Sequence, residues 1–200
     1  MNKDTIDYYN QNAERFAAGT VDVSFTTTQD RFLGFLPAHG KVLDFGCGSG
    51  RDTKYFLDHG YSVDAVDGSE ELCKLASQYT GIEVRQMYFN ELDERSVYDG
   101  IWACSSILHV PFVELHEIFQ RMKTALKTGG VMYTSFKYGN FEGMRNGRYF
   151  TDLTEQTLQN LIDQIPDLVI VDEWISNDVR PDRASEKWLN TIIKKVPENE

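Results

Sequence analysis

The apolar positions of this chain follow two alternating periods. Residues 4–18 place Ile6, Tyr9, Ala13, Phe16 and Ala17 on one helical stripe. A second helix ends near Phe32, Phe35 and Leu36, where Pro37 stops it. Short apolar runs then alternate with amphipathic stretches. Residues 41–45 read as a buried strand, followed by glycines at 46, 48 and 50 and a helix over 51–59, with Gly60 as its C-terminal cap. Residues 61–66 form a second strand that ends at Asp67. Ser69 caps the next helix, whose Leu72, Leu75, Ala76 and Tyr79 share a face. Residues 82–87 and 98–103 give two more strands. Pro111 suits the first turn of a long helix carrying Leu115, Ile118, Phe119, Met122 and Leu126, which Gly129-Gly130 ends, and 131–136 is a fifth strand.

The last third changes character. Residues 137–150 hold three glycines, two arginines and several aromatics and read as a long loop. Thr154 caps another helix, with Leu153 and Leu158 placed as a hydrophobic staple, and Pro166 stops it. Residues 168–174 and 188–193 are strands joined by a polar segment with no helical pattern, which predicts an antiparallel pair. The expected fold is α/β: a mostly parallel sheet with helices on both faces and a ligand crevice beyond the carboxyl ends of its strands. One domain is expected, with N-terminal helices over 1–38, a core over 40–137 and a substrate-side part over 138–200.

The 200 residues carry 20 Lys+Arg against 31 Asp+Glu, a net charge of −11. That deficit of cations argues against a phosphate-backbone partner. No apolar run reaches the length of a membrane helix. The N-terminal residues lack the apolar stretch of a signal peptide, so a cytoplasmic protein is expected. Cys47, Cys73 and Cys104 are odd in number with no C-x-x-C spacing, and no pair among His39, His59, His109 and His116 has metal-site spacing. Neither a disulfide framework nor a metal centre is expected.

The chemistry gathers after the first two strands. In Asp44-Phe45-Gly46-Cys47-Gly48-Ser49-Gly50, glycine permits a tight turn and close backbone approach, and the helix start offers free N–H groups. Asp67 stands 23 residues beyond Asp44, where a carboxylate accepts ribose hydroxyls. A dinucleotide fingerprint begun at Gly46 needs a third glycine at position 51, which is Arg51. Asp44 would repel pyrophosphate and attract an ammonium or sulfonium cation. The layout favours S-adenosyl-L-methionine (SAM) over a nicotinamide dinucleotide.

Asp44 to Gly50, Ala65-Val66-Asp67-Gly68-Ser69, Tyr98-Asp99-Gly100-Ile101-Trp102 leading to Leu108-His109-Val110, and Leu126-Lys127-Thr128-Gly129-Gly130 follow one another over residues 40–137. With them the chain resembles class I SAM-dependent methyltransferases. Gly50-Arg51-Asp52 looks like the small bacterial members, including the tellurite-resistance type. The resemblance implies a Rossmann-like sheet of seven strands with the last antiparallel, and an N-terminal helical lid. It further implies that Asp44, Gly46, Cys47, Gly48, Gly50 and Arg51 surround the methionine end of SAM. Asp67 and Gly68 would hold the ribose, Met87, Tyr88 and Phe89 would frame the adenine, Ala103 would pass the methionyl group, and Tyr9 would close from the lid. Many members have an acid after the third strand; here Met87-Tyr88-Phe89-Asn90 stands instead, leaving apolar contact, stacking and backbone bonds for the adenine, or a bond from Asn90 or Glu91.

Methyl transfer is an in-line displacement that needs alignment, and a base only for a protonated acceptor. His109, past the fourth strand, is the catalytic candidate; its alternative is a structural histidine bonded to backbone. Tyr8, Arg145, Arg148 and Tyr149 are the substrate candidates, with Arg180, Arg183 and Trp174 nearby in sequence pattern. The expected partner is a small-molecule acceptor, an anionic one if the late arginines meet above the sheet. The alternatives are a tRNA or protein methyltransferase, a non-catalytic SAM sensor and, disfavoured by Asp44 and Arg51, a nicotinamide oxidoreductase.

Overall fold

The computed structural model describes residues 3–180, 183 and 185–197. Two helices, α1 (Lys3–Ala18) and α2 (Thr26–Leu33), precede an alternation of β1 (Lys41–Phe45), α3 (Arg51–Asp58), β2 (Ser62–Asp67), α4 (Glu70–Thr80), β3 (Val84–Gln86), β4 (Tyr98–Ala103), α5 (Phe112–Ala125) and β5 (Leu126–Lys137). A hairpin of β6 (Glu142–Arg145) and β7 (Arg148–Thr151) follows, then α6 (Glu155–Ile162), β8 (Leu168–Asn177) and β9 (Lys187–Lys195). Seven strands form one sheet in the order β3-β2-β1-β4-β5-β9-β8. Neighbours from β3 to β5 pair in parallel, and β9 runs antiparallel to both β5 and β8.

The central strands are apolar at nearly every position because both faces of the sheet are covered. Side chains alternate across the pleat. Leu43, Ile101, Met132 and Ile193 therefore join the core beneath α5 and α6, while Val42, Trp102, Val131, Tyr133 and Ile192 pack with Phe32 and Phe56 of α2 and α3. Trp102 stacks on Tyr133 at 4.0 Å between ring centres. Gly100 is needed here, since a Cβ on it would lie 2.7 Å from Phe32 Cζ.

Several predicted boundaries move, two of them at α5. Helix α5 ends at Ala125, and Leu126 already pairs with Tyr98; the Gly129-Gly130 turn is an irregularity inside β5, not the helix stop. Pro111 is the N-cap of α5 instead of its first turn. The larger correction concerns residues 137–150, expected as a loop. They hold the β6–β7 hairpin, closed by Asn146 (φ 51°) and Gly147 (φ 78°). Asn-Gly is the pair that a two-residue turn with two positive φ angles selects. Thr154 caps α6 as expected: its hydroxyl accepts from Thr157 N, and Leu153 and Leu158 are both buried.

Strand order reverses between β1 and β4, which leaves a crevice at their carboxyl ends. Helix α1 crosses that crevice. Asn10 Oδ1 accepts from Ser69 Oγ at 2.7 Å at the start of α4, and Thr5 Oγ1 accepts from Tyr149 N at 2.9 Å on β7. The hairpin and α1 thus form one roof.

Candidate active site

The floor is the β1–α3 loop. Gly46 N and Cys47 N both donate to Val66 O at 2.9 Å, which tethers the loop to β2. Gly46 has φ +90°, and a Cβ there would lie 2.4 Å from Ser106 Cβ, so no other residue fits. Ser106 donates to Phe45 O at 2.6 Å and fixes the segment after β4 against the same turn.

Asp67 stands at the end of β2. Its carboxylate accepts from Gly48 N and Ser69 N, each at 2.9 Å. Burial raises its pKa, against the pull of those backbone N–H groups. Asp67, Gly68, Cys47 and Gly48 line the cleft together with Phe89 and Leu72. The arrangement brings a carboxylate and an apolar wall to one end of the crevice.

At the other end sits an ionic cluster centred on Asp52, a residue not singled out from the sequence except within the Gly50-Arg51-Asp52 run. Its carboxylate accepts from Gln29 Nε2 (2.6 Å), Trp102 Nε1 (2.8 Å) and, side-on, Arg51 Nε (2.8 Å) and Nη2 (2.9 Å). Arg51 lies over the Phe25 ring at 4.8 Å and lines the cleft. Asp44 lies beneath the loop, 2% exposed, and accepts from Thr53 Oγ1 at 2.6 Å. Burial first, and then the Asp52 charge, push its pKa up to about 8.

His109, 3% exposed, faces the cleft through a short relay. Its Nδ1 donates to Tyr149 O at 2.5 Å, so Nε2 is the acceptor nitrogen and takes the Tyr9 hydroxyl proton at 2.9 Å. Arg148 Nη1 donates to the same Tyr9 oxygen at 3.3 Å. Burial lowers the His109 pKa to about 4, aided by Arg148 and opposed by the Tyr149 carbonyl. Burial raises that of Tyr9, and Arg148 opposes it. The histidine is neutral at physiological pH and both its nitrogens are engaged.

Of the residues expected in the site, Tyr9, Gly46, Cys47, Gly48, Arg51, Asp67, Gly68, Phe89, His109 and Arg148 line the cleft. Gly50 instead packs on α4, where a Cβ would lie 2.8 Å from Thr80 Cγ2. Ala103 and Met87 are buried in the core, and the Tyr88 ring is exposed. Tyr8 lies against Gly147 and the Arg148 guanidinium, behind Tyr9. The pleat of the hairpin separates Tyr149 from Arg148, with which Arg145 is paired. Arg148 and Phe150 face the crevice, whereas the Tyr149 hydroxyl donates to Glu142 at 2.8 Å on the outside. Arg145 is drawn off by Asp152 at 2.8 Å, beside a second depression. Trp174 carries the Arg31 guanidinium 3.8 Å above its ring and is not part of the cleft wall.

Of the far wall, sequence reasoning named only Arg180 and Arg183. Ser135, Lys137, Ser176, Asp178, Trp188 and Asn190 converge there from β5, β8 and β9 and the β8–β9 connection. Arg180 and Arg183 also line it; Arg180 pairs with Asp178 at 2.6 Å and Lys137 with Glu186. No local motif marks these residues, because only the antiparallel pairing of β9 brings them to the strand ends. Among the described residues no group of three or more His, Cys, Asp or Glu is placed to hold a metal ion, and no helix is long and apolar enough to cross a membrane.

Comparison with known proteins places these features. Residues 42–130 match a family model described as a methyltransferase domain. A relative from Staphylococcus carnosus, an uncharacterized methyltransferase, is 27% identical over 171 residues, covering 78% of this chain and 80% of its own. Among solved structures, the 1,6-didemethyltoxoflavin-N1-methyltransferase of Burkholderia thailandensis superposes with a TM-score of 0.77 at 24% identity, over 97% of this chain and 88% of that one. A SAM-dependent methyltransferase from Anabaena variabilis gives 0.71 at 16% identity, over 98% and 96%. These likenesses show the fold.

Proposed function

We propose that this enzyme, with its methyltransferase domain over residues 42–130, transfers a methyl group from SAM to a small-molecule acceptor in the crevice between β1 and β4. One observation carries the reading: a glycine turn too tight for any Cβ lies directly against a carboxylate at the end of β2. The residues present fit the cofactor. Asp67 offers a ribose-binding carboxylate, Phe89 and Leu72 offer an apolar wall for a base, and Arg51 offers a cation for the methionine carboxylate. Asp44 lies beneath the turn of Gly46, Cys47, Gly48 and Gly50 with its pKa raised to about 8 by burial, and an ammonium or sulfonium group bound above it would favour its ionised form. Met87, Tyr88 and Ala103 back the adenine and methionyl ends from the core and the rim.

SAM supplies an electrophilic methyl group when bound; the chain supplies alignment and exclusion of water. The roof of α1 brings Tyr9 and Phe16 over the crevice. His109 fixes Tyr9 through Nε2 and is the candidate to take an acceptor's proton when the Tyr9 hydroxyl swings aside. Its depressed pKa makes it a weak base, which suits an acceptor that ionises easily. The Burkholderia thailandensis neighbour, a 1,6-didemethyltoxoflavin-N1-methyltransferase with bound 1,6-didemethyltoxoflavin, supports the small-acceptor reading. The likeness of Gly50-Arg51-Asp52 to the tellurite-resistance type suggests that subtype, and a tRNA acceptor is disfavoured by the net charge of −11. Asp67→Ala should weaken SAM binding by about 1.5–3 kcal/mol, roughly 10- to 150-fold, as loss of hydrogen bonds to a charged group does. Calorimetric titration checks it, and unchanged affinity in a folded variant would remove the ribose assignment.

A further inference from the structure

We propose that the methyl acceptor carries a carboxylate or equivalent anionic oxygen pair, and that the side-on edge of Arg148 recognises it. The inference rests on the methyltransferase reading of the crevice and names the class of its substrate. Arg31, Arg51, Arg85, Arg121, Arg145 and Arg180 each pair with a carboxylate in this acidic protein. Arg148 faces the cleft and has no carboxylate partner among the described residues. Its Nη1 donates to Tyr9 Oη, while its Nε is buried and has no hydrogen-bond partner.

The unused edge is therefore Nε with Nη2. Arg31 grips Asp172 with that same edge, Nε and Nη2 both at 2.5 Å, and Arg51 grips Asp52 with it at 2.8 and 2.9 Å. Two parallel N–H groups match the two oxygens of a carboxylate. The guanidinium carbon lies 4.8, 5.7 and 5.1 Å from the ring centres of Tyr8, Tyr9 and Phe150. Those rings hold the cation in the absence of a counter-ion and form a flat apolar frame beside it. An anion reaching Nε shifts one of them, and Tyr8 on α1 lies nearest. An acceptor so paired sits next to the Tyr9–His109 relay, where its reactive atom would meet the methyl donor.

The test uses the full-length protein with arginine side-chain ¹⁵Nε labelling, saturated with S-adenosylhomocysteine. The Arg148 Nε–H resonance, assigned by its loss in Arg148→Met, is followed during titration with acetate, benzoate and 2-hydroxybenzoate, and with acetamide and benzamide as uncharged matches. The expected result is a saturable shift with at least one carboxylate, at least tenfold weaker or absent with its amide. In Arg148→Lys, calorimetry should show a reduced but persistent preference for carboxylate over amide, and in Arg148→Met none. Failure of every carboxylate to move the resonance, equal shifts with the amides, or a carboxylate preference that survives in Arg148→Met overturns the proposal. Binding of S-adenosylhomocysteine to the wild-type protein, read by calorimetry, reports separately on the methyltransferase reading.

Discussion

At the scale of single residues, two buried acids lie beside Arg51, and their surroundings make opposite predictions. Asp52 accepts four hydrogen bonds from three partners, among them the Arg51 fork. Asp52→Ala would strand the buried Arg51 charge and leave Trp102 Nε1 and Gln29 Nε2 without an acceptor. Urea denaturation should show a loss of about 3–5 kcal/mol, the usual result of breaking a buried ion pair from one side. Asp44 behaves differently, because burial and the Asp52 charge raise its pKa from 3.8 to about 8. The folded chain keeps a proton there that the unfolded chain releases above pH 4. Stability therefore falls as pH rises across that window and levels off above about 8. Asp44→Asn should decline less steeply than wild type between pH 5 and 8 in parallel thermal melts; identical slopes would mean that Asp44 is already ionised. Asp44, like Asp67, was legible in the sequence because each stands near the end of a strand within two residues of a glycine. Asp52 was not, since its bonds come from α2 and β4, 23 and 50 residues away.

Among elements, the β6–β7 hairpin walls the cleft with Arg148 and Phe150, and it was the element least legible in the sequence. Its glycines, arginines and aromatics resemble a loop by composition, while its strands are only four residues each. The decisive signal was the Asn146-Gly147 pair, which has a mechanism of its own in hairpin turns. Gly147 has φ +78°, and a Cβ on it would lie 3.0 Å from Tyr8 Cδ2. Gly147→Ala should cost about 1–3 kcal/mol for the left-handed backbone. It should also press on Tyr8 and loosen the contact between hairpin and α1. Urea melts give the stability loss, and amide exchange at Tyr149, whose N–H donates to Thr5 Oγ1, should speed up. Unchanged exchange would mean that α1 and the hairpin are not one roof. By contrast β1, β4 and the cap of α6 follow from local pattern alone, because strands buried on both faces and a Thr-capped helix start need no tertiary information to be read.

At the scale of the whole molecule, the order of strands decides where chemistry can occur. The reversal between β1 and β4 places the glycine turn, Asp67 and His109 at one rim, all from residues whose positions after strands were readable. The return of β9 between β5 and β8 adds the wall of Ser135, Trp188 and Asn190, which depends on pairing across more than fifty residues and has no signature in the chain. This is why the glycine-turn side of the crevice was readable in the sequence and the β9 side was not. The central claim is that the glycine-lined crevice with Asp67 at its rim selects a sulfonium nucleoside. Isothermal titration of the purified protein with SAM, S-adenosylhomocysteine and NADH tests it most directly. SAM and its homocysteine product should each bind at one site per chain, and NADH should not. Saturable NADH binding with no heat from either sulfur nucleoside would contradict the account.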